Sequence, residues 1–459
     1  MNKKQIFVNY IKEYLESDLE KFYPRKKKFE FLDIRKVYTI FWPRRAWKTF
    51  YCYQIIDELL KNWVEKEQTL YVYLEIDEFY PLNLQDLNLL LETYFEIVGF
   101  DKNKKYYIFL DEIQEIENWE KFALKVYSNF KNVELILTGS SSKLLSKEIA
   151  SWLRWKAFSS EILPLYLEEY LNFKNFKKEK SYSKTKFLQL KNLFNQALIY
   201  GFFPEVVLTE NENSKLNILQ DYLDLIFYKD VIERYGFKNL KKIKNFRKLV
   251  VSYMADFVNY SKLAKELDVE YNTLLSWFEA FSDAYFVFEL KNFDLSVKKQ
   301  IKSFSKVYII DNGFYTLVYR HYKQDWWKYF ENYVFLEFRK QGFKENENIF
   351  YFKNKDFDID FVIFADETYL VNAVYHLTEE NFSREVEKLS QACKKFNVKW
   401  KLVYYENFTD LDSFENVEFV RFDGLRSEEG LKRSEEGKEV GRGNLIRSDE
   451  EFETEGETE

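Results

Sequence analysis

Glycine is the residue this chain most lacks, with 12 in 459, where ordinary proteins carry about 7%. Five of the 12 lie beyond residue 425, which leaves seven for the first 425 residues. Cysteine is confined to Cys52 and Cys393, too few and too far apart for a disulfide framework or a zinc site. His321 and His376 are the only histidines, so no metal cluster is expected from them. No apolar run reaches the roughly 18 residues a membrane-spanning helix needs. The opening MNKKQIFVNYIKEYLE has amphipathic helical spacing and no apolar signal-peptide core. These absences predict a cytoplasmic chain with no membrane partner.

What is present fits a folded, water-exposed chain. Hydrophobic residues make up 46% and charged residues 32%, and the length suits two or three domains. Aromatics reach 20%, in company with free use of Lys, Asn and Ile. That is the bias of AT-rich coding, so it does not itself mark a stacking surface. The net charge is −7, and the segment from Arg426 holds 6 basic and 12 acidic residues, hence −6 of it. The body is near neutral, and charge alone points neither toward nor away from nucleic acid. The tail repeats RSEEG, lacks apolar periodicity, and is expected to be disordered over 426–459.

Along the chain, KVYTIF, TLYVYLEI, YYIFLDE and VELILTGSS read as strands separated by helical stretches. Such alternation predicts an α/β fold with a parallel sheet. Its ligand would then sit at the strand C-termini. After Leu163-Pro164-Leu165 the pattern turns helical, and from Lys306 it is mixed again. The expected organisation is an N-terminal helical segment (1–30) and the parallel-sheet domain (31–172). A helical region (173–290), a C-terminal α/β domain (291–425) and the acidic tail (426–459) follow.

The first strand is followed by W-P-R-R-A-W-K-T, residues 42–49, and then by a helix. This has the spacing of G-x-x-x-x-G-K-[ST], in which backbone N–H groups and a helix N-terminus cradle phosphates. Lys48 and Thr49 fit, but Trp42 and Trp47 occupy both glycine positions. One reading is an ordinary turn, or a dead loop whose indoles fill the pocket. In the other, these tryptophans are glycines in the native protein, written as Trp where UGA codons were translated by the wrong table. All 10 Trp lie in the glycine-poor body and none in the tail, which has five Gly. Genuine Trp at 42 and 47 would block close backbone approach to phosphate.

YYIFLDE ends in Asp111 and Glu112. Beside a phosphate loop, Asp111 and Thr49 suit Mg²⁺, Glu112 suits orienting an attacking water, and Lys48 suits the β/γ-phosphates of ATP. The bland alternative is a solvated turn after a core strand. Thr138-Gly139-Ser140-Ser141 ends the next strand, where Thr138 could sense the γ-phosphate or the hydroxyls could cap the following helix. Arg154 could contact phosphate, in cis or across a homo-oligomer interface, or could form a surface salt bridge.

Taken in order, WPRRAWKT, FLDEIQEIENWE, LILTGSSSKLLSKEIA, LRWK, EILPLYLEEYL, YGFFPEVV, KVYIIDNGFY and ENYVFLEFRKQG are distinctive. Over roughly residues 30–405 the chain resembles a family of bacterial and archaeal AAA-like ATPases with a C-terminal domain of unknown function. In that family Gly stands at the positions of Trp42, Trp47, Trp155 and one of Trp326 or Trp327; Trp119 falls where an aromatic is expected. Trp63 also occupies a plausible turn position.

The resemblance implies ATP and Mg²⁺ as cofactors, with loop residues Trp42, Pro43, Arg44, Arg45, Ala46, Trp47, Lys48, Thr49 and Phe50 around the nucleotide. It also implies a winged helix within YSKLAKELDVEYNTLLSWFEAF and a PD-(D/E)xK nuclease-like C-terminal fold. There Glu331 or Glu337 and Asp360 fill two metal-ligand places. The E-x-K place reads Asn372-Ala373-Val374, so nuclease activity is not expected. The expected function is an ATPase coupled to a DNA or protein client; the alternative is a nucleotide-free scaffold. The helix NTLLSWFEAF has no Arg or Lys for phosphates and base edges, so protein packing suits it as well as DNA.

Overall fold

The computed structural model describes residues 2–42, 48–140, 156–179, 181–319, 325–407, 413–414 and 417–425. Expectations that fall on Pro43, Arg44, Arg45, Ala46, Trp47, Ser141, Arg154, Trp155, His321 and the tail lie outside these residues. The chain divides into two compact units, residues 1–165 with 203–205 and 283–285, and the remainder.

In the first unit, helix α1 (Lys3–Glu16) starts where the Asn2 side chain accepts the Gln5 N–H. It buries Phe7, Ile11 and Tyr14 in the unit's core. Strand β1 (Val37–Trp42) leads to α2 (Lys48–Lys61), then β2 (Thr69–Tyr73), α3 (Leu84–Val98), β3 (Tyr106–Asp111), α4 (Trp119–Asn129), β4 (Val133–Ser140) and β5 (Ala157–Glu161). The sheet order is β2-β3-β4-β1-β5, and every pairing is parallel. Parallel strands flanked by helices bury both faces, hence apolar runs such as YYIFL. The fifth strand, β5, is absent from the sequence reading because AFSSE at a sheet edge carries no such run.

The second unit begins with helices α5 (Leu167–Phe173), α6 (Lys184–Tyr200), α7 (Glu212–Leu225) and α8 (Leu240–Ser252). Strand β6 (Asp256–Val258) precedes α9 (Tyr260–Glu266), a turn with Asp268 at φ 49°, and α10 (Tyr271–Asp283). Strands β7 (Val287–Lys291) and β8 (Ser305–Ile309) complete an antiparallel sheet ordered β6-β8-β7. Helices α11 (Asn312–Tyr319) and α12 (Trp326–Lys340) follow. Then come β9 (Ile349–Lys353), β10 (Asp358–Phe364), β11 (Thr368–Leu377), α13 (Lys388–Phe396), β12 (Lys399–Asn407), β13 (Ser413–Phe414) and β14 (Val417–Arg421). These strands form a mixed sheet ordered β13-β14-β12-β11-β10-β9.

The C-terminus of α2 bears on the glycine question. Val64 N–H donates to Leu59 O and Trp63 N–H to Leu60 O, the paired bonds of a Schellman ending. Trp63 sits at its left-handed position, φ 66°, with 95% of its surface exposed. That position normally belongs to glycine, and an indole there gains no packing. By contrast Trp119 and Trp277 are buried. Of the pair in α12, Trp326 stacks on Tyr375 at 5.5 Å, whereas Trp327 is 47% exposed.

Candidate nucleotide site

The residues that bring chemistry to the first unit meet at the C-terminal edge of its sheet. Lys48 and Thr49 open α2, directly beyond the loop after β1; Asp111 ends β3, and Thr138 lies near the end of β4 between them. Asp111 is fully buried and is the hub. Its Oδ2 accepts the Thr49 hydroxyl at 2.9 Å and the Tyr71 hydroxyl at 2.6 Å. Its Oδ1 accepts the Thr138 hydroxyl. Thr138 Oγ1 in turn accepts the Glu112 N–H at 3.4 Å.

Glu112 follows in a left-handed conformation, φ 62° and ψ 46°. A non-glycine residue there is strained, by roughly 1–3 kcal/mol, and such strain gathers at functional sites. Its carboxylate pairs with the Lys48 ammonium and accepts from the Gln114 side chain. Both members of the Lys48–Glu112 pair are nearly buried, at 11% and 7% exposure.

Five residues singled out in the sequence, Lys48, Thr49, Asp111, Glu112 and Thr138, are thus brought together. Phe50 lies one position along α2, its ring against Tyr53. The Trp42 backbone ends β1, paired with Ser140. Tyr71 was not anticipated: it lies on β2, and only the register Tyr71↔Phe109 shows that it reaches the β3 terminus. Burial first, and the Asp111 carboxylate second, hold its phenol well above the ordinary range, so it stays a hydrogen-bond donor. Burial likewise raises the Cys52 thiol well above its usual value, which makes it an inert core group. Among the described residues no group of three His, Cys, Asp or Glu is arranged to hold a metal unaided. A hydroxyl and a carboxylate do suit Mg²⁺, which takes one or two protein oxygens and fills the rest with water and phosphate.

In the second unit, Asp360 and Glu331 approach one another through Lys306, which bonds to both. Glu337 instead pairs with Lys340. Of the two glutamates singled out in the sequence, Glu331 is therefore the one that shares a lysine with Asp360. No helix among the described residues is long and apolar enough to cross a membrane.

The family description "AAA domain" matches residues 34–171, and "Domain of unknown function (DUF8612)" matches residues 191–323. The Methanocaldococcus jannaschii protein named Uncharacterized protein MJ1544 is 39% identical over 402 residues, 84% of this chain and 87% of that protein. An Uncharacterized protein of Haemophilus influenzae is 26% identical over 399 residues, 85% of this chain and 95% of its own length. Among solved structures, a RuvB variant of Thermotoga maritima is 15% identical, covering 55% of this chain and 81% of that one at a TM-score of 0.27. A likeness of that size carries no argument; the sequence relatives do. The chain belongs to the family of the M. jannaschii protein MJ1544, and its N-terminal part is an AAA domain of the P-loop NTPase class.

Proposed function

We propose that the AAA domain binds ATP with Mg²⁺ and hydrolyses it, and that nucleotide state is passed to a DNA or protein client through the second unit. The observation that carries this reading is the buried Asp111 carboxylate, tied to Thr49, Tyr71 and Thr138 beside the Lys48–Glu112 pair. A solvated turn would not assemble three such partners. Thr49 and Asp111 would hold Mg²⁺, which when bound supplies charge neutralisation across the β- and γ-phosphates. Lys48 leaves Glu112 for phosphate oxygens. Glu112, released from its cation, is then free to orient a water or take its proton. Thr138 holds Asp111 and the Glu112 backbone in register. With Glu112 replaced by Gln, in protein carrying W42G and W47G, ATP binding should persist while turnover falls by roughly 10²–10⁴-fold. Undiminished phosphate release would remove Glu112 from the mechanism.

The competing reading, a nucleotide-free scaffold, is favoured by one observation: Trp at both glycine positions of the loop. The exposed, left-handed Trp63 speaks for glycine written as tryptophan instead. A mobility shift with salt titration tests the scaffold reading, since a DNA-binding surface shows a steep salt slope. The order α9, turn, α10, β7, β8 supports a winged helix as the client-facing element, and the mixed sheet supports a nuclease-like, non-cleaving C-terminal domain.

A further inference from the structure

The second unit contains a cleft of about 920 Å³, lined by α12, the β9–β10 turn, β11 and the residues before α13. On its floor lies the ion cluster of Lys306, Glu331 and Asp360. Lys306 Nζ is 2.6 Å from Glu331 Oε1 and 2.9 Å from Asp360 Oδ1, with side-chain exposures of 7%, 5% and 22%. The two carboxylates come from different elements, helix α12 and strand β10. Each is also fixed by a donor without charge. Glu331 Oε1 accepts the Tyr308 hydroxyl at 2.7 Å, and Asp360 Oδ2 accepts the Ala373 N–H at 3.0 Å. The Asn372 side chain accepts the Asp360 N–H at 3.2 Å, tying β10 to β11 at this point. Two preoriented carboxylate oxygens therefore converge on one point, and an ammonium nitrogen occupies it.

We propose that Lys306 is the resident cation of a two-carboxylate site: with its ammonium present the cleft takes no divalent metal, and with it removed the same oxygens take one. Charge balance supports this. Buried carboxylates require a cation or must neutralise. Glu385 lines the same cleft, where it pairs with Arg384 at 2.5 Å. Without Lys306 the point where Glu331 and Asp360 converge would hold two carboxylate oxygens and no cation.

The test is Mn²⁺ binding, read by loss of the free-ion EPR signal and by thermal unfolding of the full chain. Native protein and D360N should show the same Mn²⁺ response, because any metal held elsewhere, at Asp111 for instance, is common to both. K306M should gain one further site, with melting raised by roughly 5 °C once Mn²⁺ is about 100-fold above its dissociation constant. K306M/D360N should lose that gain. Should K306M not fold in metal-free buffer, recovery of folded protein on refolding with Mn²⁺ supports the proposal. Three results overturn it: a D360N-sensitive Mn²⁺ site in native protein, a folded K306M that gains none, or a K306M that no Mn²⁺ concentration folds. Mg²⁺-dependent DNA cleavage by native protein, lost in D360N, would overturn it too.

Discussion

Single residues carry the chemical argument, and two of them do so through backbone conformation. Glu112 and Trp63 both sit at positive φ, but their surroundings differ. Glu112 is buried, its carboxylate on Lys48 and its N–H on Thr138, so its strain is held by partners at the site. Trp63 is exposed and closes a helix where a glycine would serve better. Replacing Trp63 by Gly should therefore stabilise the protein by about 1 kcal/mol, because a left-handed residue with a side chain is penalised. Urea unfolding of W63G against the Trp form checks the sign, and a loss of stability would mean that the indole packs usefully. Peptide mass spectrometry of protein from its native source decides the identity directly: glycine is expected at 42, 47 and 63, and tryptophan there ends the idea. The site's acids, lysine and threonines were legible from spacing. Tyr71 was not, because contact across parallel strands depends on a register that no local pattern records.

At the scale of elements, buried strands announced themselves and partly exposed ones did not. β1, β3 and β4 are apolar runs because helices cover both faces of the sheet, whereas β5 alternates weakly and has two serines. The strand after Asp360 carries Asn372-Ala373-Val374 and no lysine. The lysine that meets Asp360 lies on β8, 54 positions earlier, so no motif window could hold both. The turn after α6 is a further element set by long-range contact. Gly201 lies at φ 81°, and a Cβ there would fall 1.5 Å from Asp311 Oδ1. Asp311 is fully buried and accepts N–H bonds from Phe202 at 2.6 Å and Gly313 at 2.8 Å. G201A should cost roughly 3 kcal/mol, since both backbone strain and overpacking oppose it; an unchanged melting temperature would contradict this packing.

The same Asp311 gives the element a pH dependence. Burial, outweighing those two N–H bonds, pushes its carboxyl up to about 7. The folded value lies above that of an unfolded aspartate, about 3.9. Its contribution to stability is therefore complete below about pH 4 and is lost as the pH rises through 7. The difference in unfolding free energy between native protein and D311N should shrink across that window. A difference independent of pH would show that Asp311 is ionised throughout.

For the whole molecule, this chain pairs an AAA domain with a DUF8612 region, and its kinship with MJ1544 runs over most of both chains. The near-neutral body left the client open in the sequence, because neither a basic face nor an apolar patch distinguished DNA from protein. The central claim is that Lys48, Thr49, Asp111 and Glu112 form a nucleotide site whose loop is glycine in the native protein. Equilibrium binding of a fluorescent ATP analogue with Mg²⁺, to the Trp form and to W42G/W47G, tests it most directly. The account predicts binding by the Gly form, at least tenfold weaker or absent binding by the Trp form (about 1.4 kcal/mol or more), and loss on adding D111N. Binding by neither form would contradict it.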